Sequence, residues 1–381
     1  MTPWIRGLLY LVIAVSVAYG FAETWLRSTI HPPPQADAHP FVWPALFRQR
    51  FVIAEPVPGL PPQRTTLTAS ALGVRGDELD VLPGGDDDTF RILTLGGSST
   101  ECLLLDDGDA WPAIVQRQLR ARTGRAIWVG NAGKSGQNSQ DYIVHALALA
   151  PAVRADVILV MASANDLQAA IEGHYVPVTL DGGWDAGSAA RRIYSRKGPR
   201  ALARLEPSHT AFWLKRRFGG SELDFGEFYR MMRKRRGAAD KLEELEDLDL
   251  FAEVYRTNLE TLVEATGRHP GTKLVLMTHP AIWKKDMSEA ERATLWAGYT
   301  CMDCKEPRYY SADVLRAGLE RLNATMLSVC EQQSLPCLDL ERRVEKTLDH
   351  FIDDAHLTGT GSQLVADQVT EFLLGQGILD S

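Results

Sequence analysis

A chain of 381 residues holds one large domain or two ordinary ones and can bury a sizeable core. Its 45% hydrophobic and 24% charged residues are ordinary for a globular protein, and a net charge of −8 argues against a general nucleic-acid binder. Five cysteines are too few for a disulfide scaffold but enough for one or two bridges.

Gly7 to Ala22 carries no charge and follows Arg6. With Trp4-Ile5 and Trp25-Leu26 it reaches spanning length, with tryptophans at both ends where a membrane interface falls. Gly20-Phe21-Ala22 is a weak small-x-small cleavage site. An uncleaved signal-anchor over residues 1–28 is the favoured reading and a cleaved signal peptide, giving a secreted protein, is its alternative. Arg6 on the cytoplasmic side predicts a single-pass cell-membrane protein whose remainder lies on the extracytoplasmic (periplasmic) side. Residues 29–44, with His31-Pro-Pro-Pro, form a stiff Pro-rich linker. Residues 45–90 are punctuated by Pro and Gly and end in the acidic loop Asp86-Asp87-Asp88. Within them, Leu72 to Asp77 reads as a compact turn that lays Arg75 beside a site.

From Arg91 onward strands alternate with helices. Arg91–Leu95, Ala126–Val129, Asp156–Ala162, Lys273–Thr278 and Pro336–Leu340 read as buried strands. Helices are predicted over 109–122, 137–150, about 249–266, 312–333 and 359–375. This alternation predicts an α/β fold in which helices cover both faces of a mostly parallel sheet, and ligands in such sheets bind beyond the carboxyl ends of the strands. Three of those ends carry polar groups: Gly96-Gly97-Ser98, Asn131-Ala-Gly133-Lys-Ser-Gly136 and Ser163-Ala-Asn165-Asp166. Asp353-Asp-Ala-His356 follows before the last helix. A serine at a strand-to-helix turn, N–H donors, an amide and a carboxylate–histidine pair are the parts of an acyl-transfer site. Taken alone, each has a plainer use as a turn, a helix cap or a surface histidine.

In this order the four blocks resemble the SGNH (GDSL) hydrolase family over about 91–166 and 336–375. Its Gly-Asp-Ser-x-Thr is matched by Gly96-Gly97-Ser98-Ser99-Thr100, its oxyanion glycine by Gly136, its Gly-x-Asn-Asp by Ser163-Ala-Asn165-Asp166 and its Asp-x-x-His by Asp353 and His356. The resemblance implies a flavodoxin-like three-layer α/β/α sandwich with a five-stranded sheet, spanning 45–381 with a helical insertion at about 168–248. It implies Ser98 as nucleophile, His356 as base, Asp353 as its orienting acid, and the N–H groups of Ser98 and Gly136 with the Asn165 amide as oxyanion hole. Gly97 in place of Asp and Ser163 in place of Gly are departures that bear on loop geometry. Asp354 reads as solvated or as a cap and Asp166 as support for its loop. His279, at the end of the fourth strand, is a pocket candidate alongside Arg75.

Cys301-x-x-Cys304, Cys330 and Cys337 are poorly spaced for a zinc ribbon, and in an oxidising compartment disulfides are the favoured use, with Cys102 the odd thiol. Between Arg191 and Arg236, 14 Lys+Arg stand against 4 Asp+Glu, a charge that internal pairing, including with the acidic run from Glu243, can absorb. Anionic lipid headgroups or an acidic glycan are the alternative takers, and Phe212, Trp213 and Phe218 read as packing. The expected function is an exported serine esterase, without metal or cofactor, hydrolysing a small acyl ester. An O-acetyl group on a cell-surface glycan is the extrapolation from the compartment. The alternatives are an O-acyltransferase using the same triad and a non-catalytic glycan-binding or assembly protein. No nucleic acid is expected as partner.

Overall fold

The computed structural model describes residues 3–29, 41–43, 47–79, 88–180 and 222–380. The predicted Pro-rich linker, most of the acidic loop and the basic stretch up to residue 221, with Phe212, Trp213 and Phe218, lie largely or wholly outside them. The chain opens with a 27-residue helix, α1 (Pro3–Thr29), in which Arg6–Trp25 is long and apolar enough to cross a membrane and none of that window is buried against the rest of the protein. Arg48–Ile53 (β1) and Gln63–Thr68 (β2) pair antiparallel, turning Phe51, Ile53 and Leu67 inward.

The central layer begins with Phe90–Gly96 (β3), the single-turn helix Ser98–Glu101 (α2), Trp111–Thr123 (α3), Ile127–Asn131 (β4), Ser139–Val153 (α4), Val157–Ala162 (β5) and Ala164–Ile171 (α5). Glu222–Asp224 (β6) adds a third strand to the β1–β2 hairpin, and Gly226–Ala238 (α6) follows it. Lys241–Leu242 (β7) leads to Leu248–Gly267 (α7), Lys273–Thr278 (β8), Glu289–Arg292 (α8), Tyr309–Tyr310 (β9), Ala312–Gln333 (α9), Cys337–Leu338 (β10) and Gly359–Gly375 (α10).

The main sheet runs β10-β8-β5-β3-β4 with every pairing parallel. Numbered along the chain this is the order 2-1-3-4-5 of the flavodoxin-like doubly wound fold. All seven residues of β3 and all six of β5 are buried, which is why β5 reads as a continuous apolar run and β3 as a mostly apolar one, rather than as alternating strands. Burying each such Val, Leu or Ile contributes roughly 1.5–3 kcal/mol. Helices flank the sheet in two groups: α3 packs with α10, while α7 packs with both α4 and α9.

This topology places the chemistry. Beside β3 the winding reverses direction, β4 lying on one flank and β5 on the other, so the carboxyl ends of β3 and β5 open a crevice. Gly96 lies opposite Met161 in that register, and the turns that leave both strands therefore meet.

Candidate active site

At the end of β3 the chain turns through Gly97 into α2, whose first residue, Ser98, is half-buried. A Cβ at Gly97 would stand 2.1 Å from Asn165 Nδ2, so a side chain there collides with the amide as it is placed in this chain. The turn is braced by the end of β4 and the loop that follows it. Asn131 Nδ2 donates to the Thr100 carbonyl at 2.7 Å, and its Oδ1 accepts from Gly133 N at 2.9 Å. Glu101, 1% exposed, accepts from the backbone and hydroxyl of Ser135. Burial raises the Glu101 pKa against the lowering pull of those bonds. The second loop is thereby fixed on the helix that carries Ser98, with Gly136 at φ +79° beyond it.

The third turn leaves β5 through Ser163, which holds φ +118°. This is the position where the resembling family has glycine, and the conformation is one an L-side chain adopts at a cost. The Ser163 hydroxyl donates to Asn323 Oδ1 on α9 at 2.6 Å. Asn165 follows, half-buried, and one of its amide hydrogens goes to the Gln137 carbonyl at 2.7 Å, leaving the other for a ligand. Asp166, fully buried, accepts from Ser139 N at 2.9 Å, Ser163 N at 3.1 Å and Tyr175 OH at 2.8 Å, so it ties this turn to α4.

Between β10 and α10 the chain brings up Asp353 and His356. His356 Nδ1 lies 2.7 Å from Asp353 Oδ2 and 2.9 Å from Oδ1. The carboxylate also accepts from Ala355 N at 3.0 Å, His356 N at 2.9 Å and the Trp296 indole at 2.9 Å. A carboxylate partner makes Nδ1 the protonated nitrogen and leaves the lone pair on Nε2. Burial opposes charge on His356, but Asp353 outweighs it and the imidazole pKa is raised. Burial likewise works to raise the Asp353 pKa, and the charge and hydrogen bonds of His356 overcome it, holding the carboxyl well below its usual range.

Ser98, Gly136, Asn165, His279, Asp353 and His356 all line one cavity of about 660 Å³. Its walls are largely apolar, with Leu103, Leu167, Phe228, Tyr229, Trp296 and Tyr299 among them. His279 is 5% exposed, and burial, with His356 nearby, lowers its pKa to about 4, so it is neutral at physiological pH. Arg75 stands apart from this cavity. Its guanidinium, 2% exposed, donates to Asp107 at 2.7 Å and to the carbonyls of Glu101, Cys102 and Leu105, so the turn it belongs to clamps α2 from behind instead of reaching a ligand. Asp354 corrects the expectation of a solvated or capping residue. It is 2% exposed and accepts from Trp283 Nε1, Trp296 N and Ala297 N at 2.7–3.0 Å. Trp296, Tyr229 and Tyr299 were missed at the sequence level because they lie outside every block and carry no period that points inward.

Cys301 pairs with Cys304 and Cys330 with Cys337, while Cys102 is buried and reduced, its thiol pushed up to about 11 by burial. Among the described residues no group of three His, Cys, Asp or Glu is placed to hold a metal ion.

A parallel doubly wound sheet with a serine, a histidine–aspartate pair and amide donors on one crevice defines an α/β protein whose crevice carries the groups that acyl transfer needs. A sequence profile of the GDSL-like lipase/acylhydrolase family matches residues 94–364, and the chain belongs to that family; it is a serine hydrolase acting on ester bonds. No curated protein matches the chain. Similar solved structures include an α/β hydrolase enzyme from the metagenome of Lake Arreo, Spain, at 15% identity over 77% of this chain and 97% of that one, TM-score 0.41. A lipase/acylhydrolase from Enterococcus faecalis matches at 15% identity over 75% and 96%, TM-score 0.39. An acetylxylan esterase from Geobacillus stearothermophilus matches at 13% over 74% and 94%, TM-score 0.41. Scores at this level carry no functional argument.

Proposed function

We propose that this protein is an exported, membrane-anchored esterase in which Ser98 attacks the acyl carbonyl, His356 takes its proton and Asp353 orients the imidazole. The observation that carries this reading is the buried Asp353–His356 pair facing the same cavity as Ser98. As Ser98 Oγ bonds to the carbonyl carbon, the proton passes to His356 Nε2 and the carbonyl π-electrons move to oxygen. The N–H groups of Ser98 and Gly136 and the free hydrogen of the Asn165 amide receive that oxyanion. Collapse expels the alcohol, which takes the proton from His356, and water repeats the sequence on the acyl-enzyme to release the acid. The substrate proposed is a small acyl ester, with an O-acetyl group on a cell-surface glycan as the leading case. Because 660 Å³ far exceeds an acetyl group, a small acyl leaves most of the cavity to the alcohol. Export is supported by α1, by Arg6 at its start and by two disulfides in one chain.

Turnover of p-nitrophenyl acetate tests the nucleophile. Ser98→Ala is expected to lose about 10⁶-fold in kcat. Ser99 is buried with its hydroxyl donating to the Ala355 carbonyl at 3.0 Å, so Ser99→Ala loses one hydrogen bond, about 1 kcal/mol of stability, and keeps most of the activity. Equal activity in the two variants removes the assignment. Esters of rising chain length and acetylated sugars then divide the substrate classes, and acetylated acceptor sugar in excess of free acetate would reassign the enzyme as a transferase.

A further inference from the structure

The carboxylate of Asp353 is held by a group from outside the four sequence blocks. Trp296 lies between α8 and β9, in a segment that no spacing marked as functional. Its Nε1–H donates at 2.9 Å to Asp353 Oδ2, the oxygen that also stands 2.7 Å from His356 Nδ1. Its ring is parallel to the imidazole, 5° between planes and 6.2 Å between centroids. The ring is itself fixed on several sides. Tyr299 stacks against it at 21°, and Phe228 and Tyr229 from α6 meet it edge-on at 74° and 88°. Its backbone N–H donates to Asp354 at 2.7 Å.

We infer that Trp296 is a positioning residue of the esterase, setting the orientation of Asp353 toward His356 while the same ring forms a wall of the substrate cavity. The inference rests on the proposed roles of Ser98, His356 and Asp353. A carboxylate with no solvent access needs its lone pairs occupied, and an indole N–H is a donor that never accepts and never ionises near neutral pH. Oδ1 is already supplied by Ala355 N and His356 N, so Trp296 is what holds Oδ2 in line with the imidazole. With that donor gone, the backbone N–H groups still hold Oδ1, and Oδ2 keeps His356 and the nearby Tyr229 hydroxyl but loses the one donor fixed by a rigid ring. The other ionisable groups near the pair are Asp354 on the same loop, Tyr229 and Arg233 from α6, Glu101 from α2 and His279 after β8. Substituting Trp296 changes the charge of none of them.

The test is Trp296→Phe in the full chain, with benzothienylalanine at position 296 as a second variant that keeps the bicyclic shape and lacks only the N–H. Both are assayed with p-nitrophenyl acetate across pH. The expected result is a fall in kcat of about 10- to 100-fold, as for loss of a hydrogen bond to a charged group, with KM within about twofold. The acid limb moves to higher pH, because the carboxylate, with one donor fewer, acts more strongly on the imidazole. Wild-type kcat and an unmoved limb in the benzothienylalanine protein overturn the inference, as does a change confined to KM. Ser98→Ala, assayed in parallel, separates the two levels: if it stays active, the reading of the site fails, whereas an inactive Ser98→Ala beside a fully active Trp296 variant sinks only the role of Trp296.

Discussion

His356 is pulled two ways, and the balance sets a measurable pH. Burial disfavours the imidazolium and Asp353 favours it more strongly, so its pKa lies above the ordinary 6.5. In the proposed mechanism His356 must be neutral to accept a proton from Ser98. Activity therefore falls as pH drops through this raised value, and the acid limb of kcat/KM for p-nitrophenyl acetate is expected above pH 6.5. Asp353→Asn removes the raising charge and presents the wrong tautomer, so it should lower the limb and cost about 10⁴-fold in kcat. A limb at or below 6.5 in the wild type contradicts the pairing. Ser163 makes a second prediction. Its φ of +118° costs about 1–3 kcal/mol that glycine would avoid, while its hydroxyl bond to Asn323 returns about 1 kcal/mol. Ser163→Ala keeps the strain and loses the bond, whereas Ser163→Gly loses both. Urea unfolding should rank alanine as the least stable of the three, and an alanine variant as stable as the glycine variant would show that the turn relaxes.

Elements differ in how openly the sequence declares them, and the difference is burial. β3, β5 and β8 are covered on both faces, so they are mostly apolar without strict alternation; α10 begins at a Thr358 cap and matches its predicted span, 359–375. The hairpin β1–β2 stayed hidden because half its residues face solvent and Pro56, Pro58, Gly59, Pro61 and Pro62 fill the turn between the strands. The site was legible where chemistry demands a residue type, at Ser98, Asn165, Asp353 and His356. It was illegible where support comes from distant chain, as with Trp296 and Tyr229. The described end of the basic stretch shows the same limit. Arg235 and Arg236 on α6 donate to the carbonyls of Met302, Cys304, Ala297 and Tyr310, a use of charge that no run of arginines announces. Arg236 is 5% exposed, and burial raises the pKa of Asp354 while the Arg236 charge pulls against that rise. Arg236→Ala leaves the Ala297 and Tyr310 carbonyls without that donor and takes a cation from the neighbourhood of Asp354, which should cost about 3 kcal/mol in urea unfolding. A loss under 1 kcal/mol would mean that water replaces the guanidinium.

At the scale of the whole molecule the question is where so apolar a first helix resides. Trp4, Leu8, Tyr10, Leu11, Val15, Phe21 and Trp25 are all more than half exposed, against a folded domain in which most of the described leucines and valines are buried. Twenty residues at about 1.5 Å each give roughly 30 Å, the thickness of a bilayer's hydrocarbon core. Water is a poor environment for that surface, so α1 either enters a membrane or is removed on export. The two outcomes separate cleanly in a cell fractionation. An uncleaved anchor keeps the full-length chain in the membrane pellet after alkaline carbonate extraction, and deleting residues 1–28 moves it to the soluble fraction with esterase activity intact. A cleaved signal instead yields a soluble mature chain beginning near residue 23 from the full-length gene. In the proposed orientation, with the Arg6 end of the helix in the cytoplasm, added protease should digest the domain in spheroplasts without lysis. Digestion only after lysis would reverse the orientation and leave the two disulfides in a reducing compartment, where they would not persist.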